Sequence, residues 1–178
     1  MLTTAYLVVC GASSATRAPE LASGLLERFA TVLAVPTPHA ARVISGWDLV
    51  RVPGLRLVES YFDAAIRPSP PPGLVLVAPC TFNSLNKLAL GIADNLALSI
   101  VAEAIGRQTP VVVALGLNQP LWAHPRARAS ATALRSWGCQ VLEPVPEGDR
   151  LALAPTAAIL AAVDRALADG PPGGAQSG

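Results

Sequence analysis

The chain's 178 residues and 18.3 kDa fit a single domain, since domains usually run to roughly 100–150 residues. Hydrophobic side chains make up 52% and charged ones 14%, below the usual ~25% charged, which excludes a disordered chain with too little apolar surface to offset ordering entropy. A net charge of +1, from 13 basic and 12 acidic residues, excludes the strong field that recruits nucleic acid or anionic membrane.

Short apolar runs alternate with longer helical patterns. Residues 5–10, 31–35, 74–78, 111–115 and 140–142 read as strands. The first four are near-continuously hydrophobic, as strands covered on both faces are. Between them, residues 17–29, 40–44, 84–105, 121–137 and 155–168 read as helices, with a shorter one at 59–66. Pro19 suits a first helical turn, and Gly106 and Gly138 follow helix ends. Such alternation implies a parallel sheet with helices on both sides, a doubly wound α/β fold over residues 1–169. Residues 68–73, Pro-Ser-Pro-Pro-Pro-Gly, read as a stiff linker, and the Gly- and Pro-rich residues 170–178 as a disordered tail. Residues 143–154 have the length for a small flap before the last helix.

The longest apolar run, 151–163, contains Pro155 and Thr156 and falls short of the ~20 residues a membrane span needs. No basic stretch precedes the apolar residues 6–10, so there is no signal-peptide pattern. A soluble, cytoplasmic protein is expected. Cys10, Cys80 and Cys139 lie far apart, which indicates neither a disulfide framework nor a metal site. Cys10 and Cys139 read as buried thiols. Twelve of the 13 cations are arginines, Lys87 being the exception. So sparse a charge suggests that other subunits cover part of the surface.

In doubly wound sheets, ligands bind outside the carboxyl ends of the strands. The first strand is followed by Gly11-Ala12-Ser13-Ser14-Ala15-Thr16 and then a helix. Such a loop offers N–H groups, hydroxyls and a helix dipole to a phosphate, or it is only a capped tight turn. The dinucleotide pattern G-x-G-x-x-G is absent. The second strand ends in Pro36-Thr37-Pro38-His39 rather than in an acid that would hold a ribose. With no P-loop lysine either, a mononucleotide such as FMN is favoured over a dinucleotide or ATP. The third long strand runs into Pro79-Cys80-Thr81-Phe82-Asn83-Ser84, polar groups suited to ring or sugar recognition or to helix capping. The fourth runs into Gly116-Leu117-Asn118 and Trp122. Asn118 can offer a donor and an acceptor to a carboxylate or amide. Trp122 is either a rigid apolar wall or core.

These motifs resemble the flavoprotein family of homo-oligomeric flavin-containing cysteine decarboxylases. The family's P-A-S-A-N-T signature is similar to residues 79–84, its continuation to residues 85–87 and 91–96, and its P-x-M-N-x-x-M-W to residues 115–122, with Asn118 and Trp122 retained. The resemblance implies a Rossmann-like flavoprotein fold with FMN at a subunit interface of a trimer or of a dodecamer built from trimers. It places the phosphate near Gly11, Ser13, Ser14 and Thr37, the flavin near Thr81, Asn83 and Ser84, and a substrate carboxylate on Asn118. Two departures stand out. The family carries a catalytic His between the second and third long strands, yet this chain has only His39 and His124. It also lacks the clamp cysteine of the pantothenate-pathway members, Cys139 falling before that segment.

The leading expectation is oxidative decarboxylation of a cysteine at a peptide C-terminus, with His39 as substitute base and Asn118 and Trp122 at the substrate. A non-catalytic flavin-binding partner protein is the alternative, and flavin prenyl transfer a third, although nothing in the chain marks a dimethylallyl site.

Overall fold

Four near-continuous apolar runs become the centre of a parallel sheet because both faces of each strand meet helices. The computed structural model describes residues 3–67, 69–70 and 72–169. The expected tail at 170–178 lies outside them, as do Pro68 and Pro71 of the expected linker. The main sheet has the strands β1 (Thr4–Val9), β2 (Thr31–Pro36), β3 (Leu55–Leu57), β4 (Leu74–Cys80), β5 (Val111–Leu115) and β6 (Gln140–Leu142). Their order is β3-β2-β1-β4-β5-β6, every pairing parallel. This is the doubly wound α/β, Rossmann-like fold expected from the sequence.

The helices are α1 (Ala18–Leu26), α2 (Gly46–Val50), α3 (Phe82–Ala89), α4 (Leu96–Gly106), α5 (Gln119–Ala123), α6 (Pro125–Ser136) and α7 (Thr156–Asp169). Strand alternation sorts the core into two layers. Tyr6, Val8, Val75 and Val77 pack with Leu85, Val101 and Leu134 of α3, α4 and α6. Leu7, Leu76 and Val112 pack with Leu21 and Ile159 of α1 and α7. Each such buried side chain stabilises the fold by about 1.5–3 kcal/mol.

The structure departs from the sequence expectations where caps divide an apolar pattern. Residues 84–105 are two helices, because Gly91 takes a φ of 69° and ends α3. Ile92 N–H closes that end on Lys87 O at 2.9 Å, and Asn95 starts α4 by accepting from Leu98 N–H at 3.1 Å. Residues 121–137 are likewise divided. Pro125 opens α6, whose first turn His124 Nδ1 caps from Arg126 N–H at 3.0 Å. The helix expected at 59–66 shrinks to a 3-10 turn at Ala64–Ile66, held by Asp63 accepting from Ala65 N–H. The third strand in chain order, β3, has only three residues and carried no strand signal. Residues 143–154 form a hairpin of β7 (Val145–Glu147) and β8 (Arg150–Ala152). Among the described residues no helix is long and apolar enough to cross a membrane.

Tyr6, 1% exposed in β1, has its phenol pushed up to about 12 by burial, against the pull of Arg107. Its folded pKa is raised above the ordinary 10.0, so its contribution to stability is whole below pH 10 and is lost as pH rises through 12. Urea unfolding followed between about pH 10 and 12 should therefore show a falling stability in the wild type and a flatter profile in Tyr6→Phe. Equal slopes would contradict this placement of the proton.

Candidate functional site

The loops after β1 and β4 leave neighbouring strands for opposite sides of the sheet, because the chain winds outward from β1 through β2 to β3 and then returns to β4. The crevice between them is where a doubly wound sheet binds ligands. Two clefts open there, one on each side of the loop that follows β1.

The first has a volume of about 390 Å³ and is lined by Gly11, Thr37, His39, Thr81, Asn83 and Ser84, together with Pro38, Lys87, Asp94, Asn95 and Leu98. Gly11 permits a close approach of two loops, since a Cβ there would sit 2.8 Å from His39 O. Thr81 caps α3, accepting from Ser84 N–H at 3.3 Å and donating to Ser84 Oγ at 3.1 Å. The Lys87 ammonium bonds Asp94 and holds that carboxyl below the usual carboxylate range. The one carboxylate on the wall is thereby paired, and hydroxyls, amides and the His39 imidazole make up the rest of the polar lining. That donor set fits a phosphate monoester and a polyol, both rich in acceptor oxygens.

The second cleft, about 340 Å³, is lined by Ser13, Ser14, Gly116 and Asn118 on one side and by Glu147, Arg150 and Leu151 of the hairpin on the other. Asn118 Oδ1 accepts from Leu121 N–H at 3.1 Å to cap α5, so the group it has left to offer is its amide donor. Arg17, on the same wall, pins the end of the hairpin. Its Nη1 donates to Leu153 O and Ala154 O at 3.2 and 3.0 Å, and its Nη2 to Thr156 Oγ1 at 2.6 Å.

A family model described as "Flavoprotein" matches residues 3–168. The chain belongs to the Flavoprotein family. Among curated relatives, it is 26% identical over 144 residues to the coenzyme A biosynthesis bifunctional protein CoaBC of Thermococcus kodakarensis, covering 78% of this chain and 36% of that one. The chain thus spans about a third of the length of that relative. Among solved structures it is similar to the FMN binding protein AtHal3, with a TM-score of 0.78 at 21% identity, covering 93% and 96% of the two chains. It is also similar to the FMN-dependent cysteine decarboxylase TvaF from thioviridamide biosynthesis, with a TM-score of 0.74 at 24% identity, covering 93% and 98%.

Within this flavoprotein fold, the residues expected at the site divide between the two clefts. Gly11, Thr37, His39, Thr81, Asn83 and Ser84 line the first, while Ser13, Ser14 and Asn118 line the second. Trp122 is 5% exposed and belongs to the core layer, with the Arg128 guanidinium 3.8 Å over its ring. It lines neither cleft. His39 is exposed at the mouth of the first cleft, whereas His124 is engaged as a helix cap and meets the edge of the Phe82 ring. Sequence reasoning missed Asp94, Asn95 and Leu98 as lining residues because it ran one helix through them. Gly91 and Asn95 were the stop and start signals that could have found them. Arg17, Glu147 and Arg150 carried no comparable signal, since only the hairpin brings them together.

Proposed function

We propose that the chain is an FMN-dependent enzyme of the decarboxylase kind, oxidising and decarboxylating a cysteine at the C-terminus of a peptide to leave an enethiol. The observation that carries this reading is the convergence of hydroxyl and amide donors from the ends of β1, β2 and β4 on one cleft, with the Asn118 amide across the intervening loop. The similarity to a cysteine decarboxylase and to an FMN binding protein supports it.

In this reading the phosphate sits at the β1 loop, held by Gly11 and Thr37 from the first cleft and by Ser13 and Ser14 where the loop turns toward the second, and Thr81, Asn83 and Ser84 hold the sugar and ring. When bound, FMN supplies the two-electron acceptor that no side chain provides. His39 takes the proton of the substrate thiol. The Asn118 amide donates to the carboxylate that leaves as CO2, and orients the cysteine for reaction. The hairpin, tied down by Arg17, walls the peptide side. Absence of any His from residue 40 to residue 83 favours a second reading, a flavin-binding partner protein without activity.

Anaerobic mixing of the flavin-loaded protein with a cysteine-ended peptide separates the two. Bleaching of the flavin absorbance is expected. His39→Asn should leave the flavin bound and slow bleaching by about 10²–10⁴, the usual worth of a general base. Asn118→Ala should weaken peptide binding and spare the flavin. A wild type that bleaches with no cysteine compound would leave the non-catalytic reading standing.

The same reading makes the protein a homo-oligomer, a trimer or a dodecamer built from trimers. Phe62 is 80% and Tyr61 53% exposed, as are Leu90 at 58% and Ile92 at 42% in the loop between α3 and α4. The Tyr61 hydroxyl shares a hydrogen bond of 2.8 Å with Ser99 Oγ, which reaches Ala93 O in that same loop. Apolar side chains gathered into one exposed patch mark an interaction surface, and a closed ring of copies covers such a surface on every subunit. Sedimentation should give a trimer or a multiple of it, and a stable monomer at micromolar concentration would contradict the proposal.

A further inference from the structure

Two of the three cysteines are neighbours across the central ladder. Val8 pairs with Val77 where β1 meets β4, a register that would set Cys10 opposite Pro79. A bulge between Val77 and Cys80 adds one residue to β4. Cys10 N–H donates to Pro79 O at 3.2 Å, the parallel-ladder bond that makes Cys80 the partner of Cys10. The bulge also turns Cys80 onto the face that carries Val8, Cys10 and Val77. Both side chains are fully buried. Neighbouring strands lie roughly 4.8 Å apart, inside the Cα separation of about 4.4–6.8 Å that a disulfide spans.

The Cys10 sulfur faces the Cys80 thiol, the Ser84 hydroxyl and the Thr81 N–H. The hydrogen bond from Cys80 is the largest influence and, with those from Ser84 and Thr81, holds the Cys10 thiol below the usual range in spite of burial. The same bond, together with burial and the charge on Cys10, pushes Cys80 well up. The Cys80 thiol also donates to Thr81 O at 3.7 Å, so both sulfurs sit together at the bulge. Thr81 and Ser84 line the first cleft, so the pair lies one side chain behind its wall.

We propose that Cys10 and Cys80 form a dithiol site that reacts with hydrogen peroxide and closes to a reversible disulfide behind the wall of the first cleft. The Cys10 sulfur attacks the peroxide O–O bond and becomes a sulfenic acid, and the thiol proton it gives up joins the leaving hydroxide to form water. The Cys80 sulfur then displaces the sulfenic oxygen as a second water, closing the S–S bond. Two thiols lose two electrons, and one peroxide becomes two waters. The site is independent of the flavin reading, because it needs no cofactor.

The test uses the full chain, reduced and desalted under nitrogen, then given one equivalent of hydrogen peroxide, unfolded and alkylated. Loss of two of the three cysteines to alkylation is expected, with Cys139 still labelled. A non-reducing digest should join the peptides of Cys10 and Cys80, and dithiothreitol should restore all three labels. In Cys80→Ser, dimedone added on unfolding should trap a sulfenic acid on Cys10, and in Cys10→Ser Cys80 should stay alkylatable. The proposal is overturned if all three cysteines of the wild type remain labelled, or if the disulfide contains Cys139. It is also overturned if Cys10→Ser loses Cys80 as fast as the wild type does. Should a variant fail to fold, the wild-type digest still decides. Parallel runs with and without added FMN separate the two readings: flavin binding without the disulfide sinks this proposal alone, and the disulfide without flavin binding sinks the flavin reading alone.

Discussion

Every binding feature of the chain depends on the pairing of β1 with β4. These strands are adjacent in the sheet although two other strands, β2 and β3, separate them in sequence. Their following loops must therefore part, and the crevice between them is a consequence of winding order rather than of any one side chain. The Cys10 N–H to Pro79 O bond closes the carboxyl end of that pairing. It sets the β1 loop against the cap of α3 and so fixes Gly11 and Ser84 on one wall. Both strands are buried along their whole length, which leaves no cheap way to shift their register.

Most of this architecture is legible in the residues. Continuous apolar runs at 74–78 and 111–115 are the mark of a strand covered on both faces, and they fall within β4 and β5 as found. Elements that resisted reading are those whose stability comes from elsewhere. The three residues of β3, Leu-Arg-Leu, pair with β2 only because the sheet is already built. The break between α3 and α4 was written in Gly91 and Asn95, but the apolar residues on both sides have a common helical period that outweighed two caps. Candidate site residues were found from their place after each apolar run. Their division between two clefts was not visible, since it depends on which side of the β1 loop each one faces.

The caps have a double use. Thr81, Asn95 and Asn118 each satisfy a helix N-terminus, and each also lines one of the clefts. Helix starts leave unpaired N–H groups pointing toward the crevice, so residues that begin helices are already aimed at an anionic ligand. Asn118 illustrates the consequence: its carbonyl caps α5, which leaves its amide donor as the group it can offer.

We propose that this crevice holds FMN through its phosphate. Titrating flavin-stripped protein with FMN and with riboflavin, each followed by quenching of flavin fluorescence, tests it directly. Charge-assisted hydrogen bonds contribute about 1.5–3 kcal/mol each and 1.4 kcal/mol is a factor of ten, so FMN should bind about 100-fold tighter or more. Equal affinity for the two flavins, in a protein still folded by circular dichroism, would contradict it.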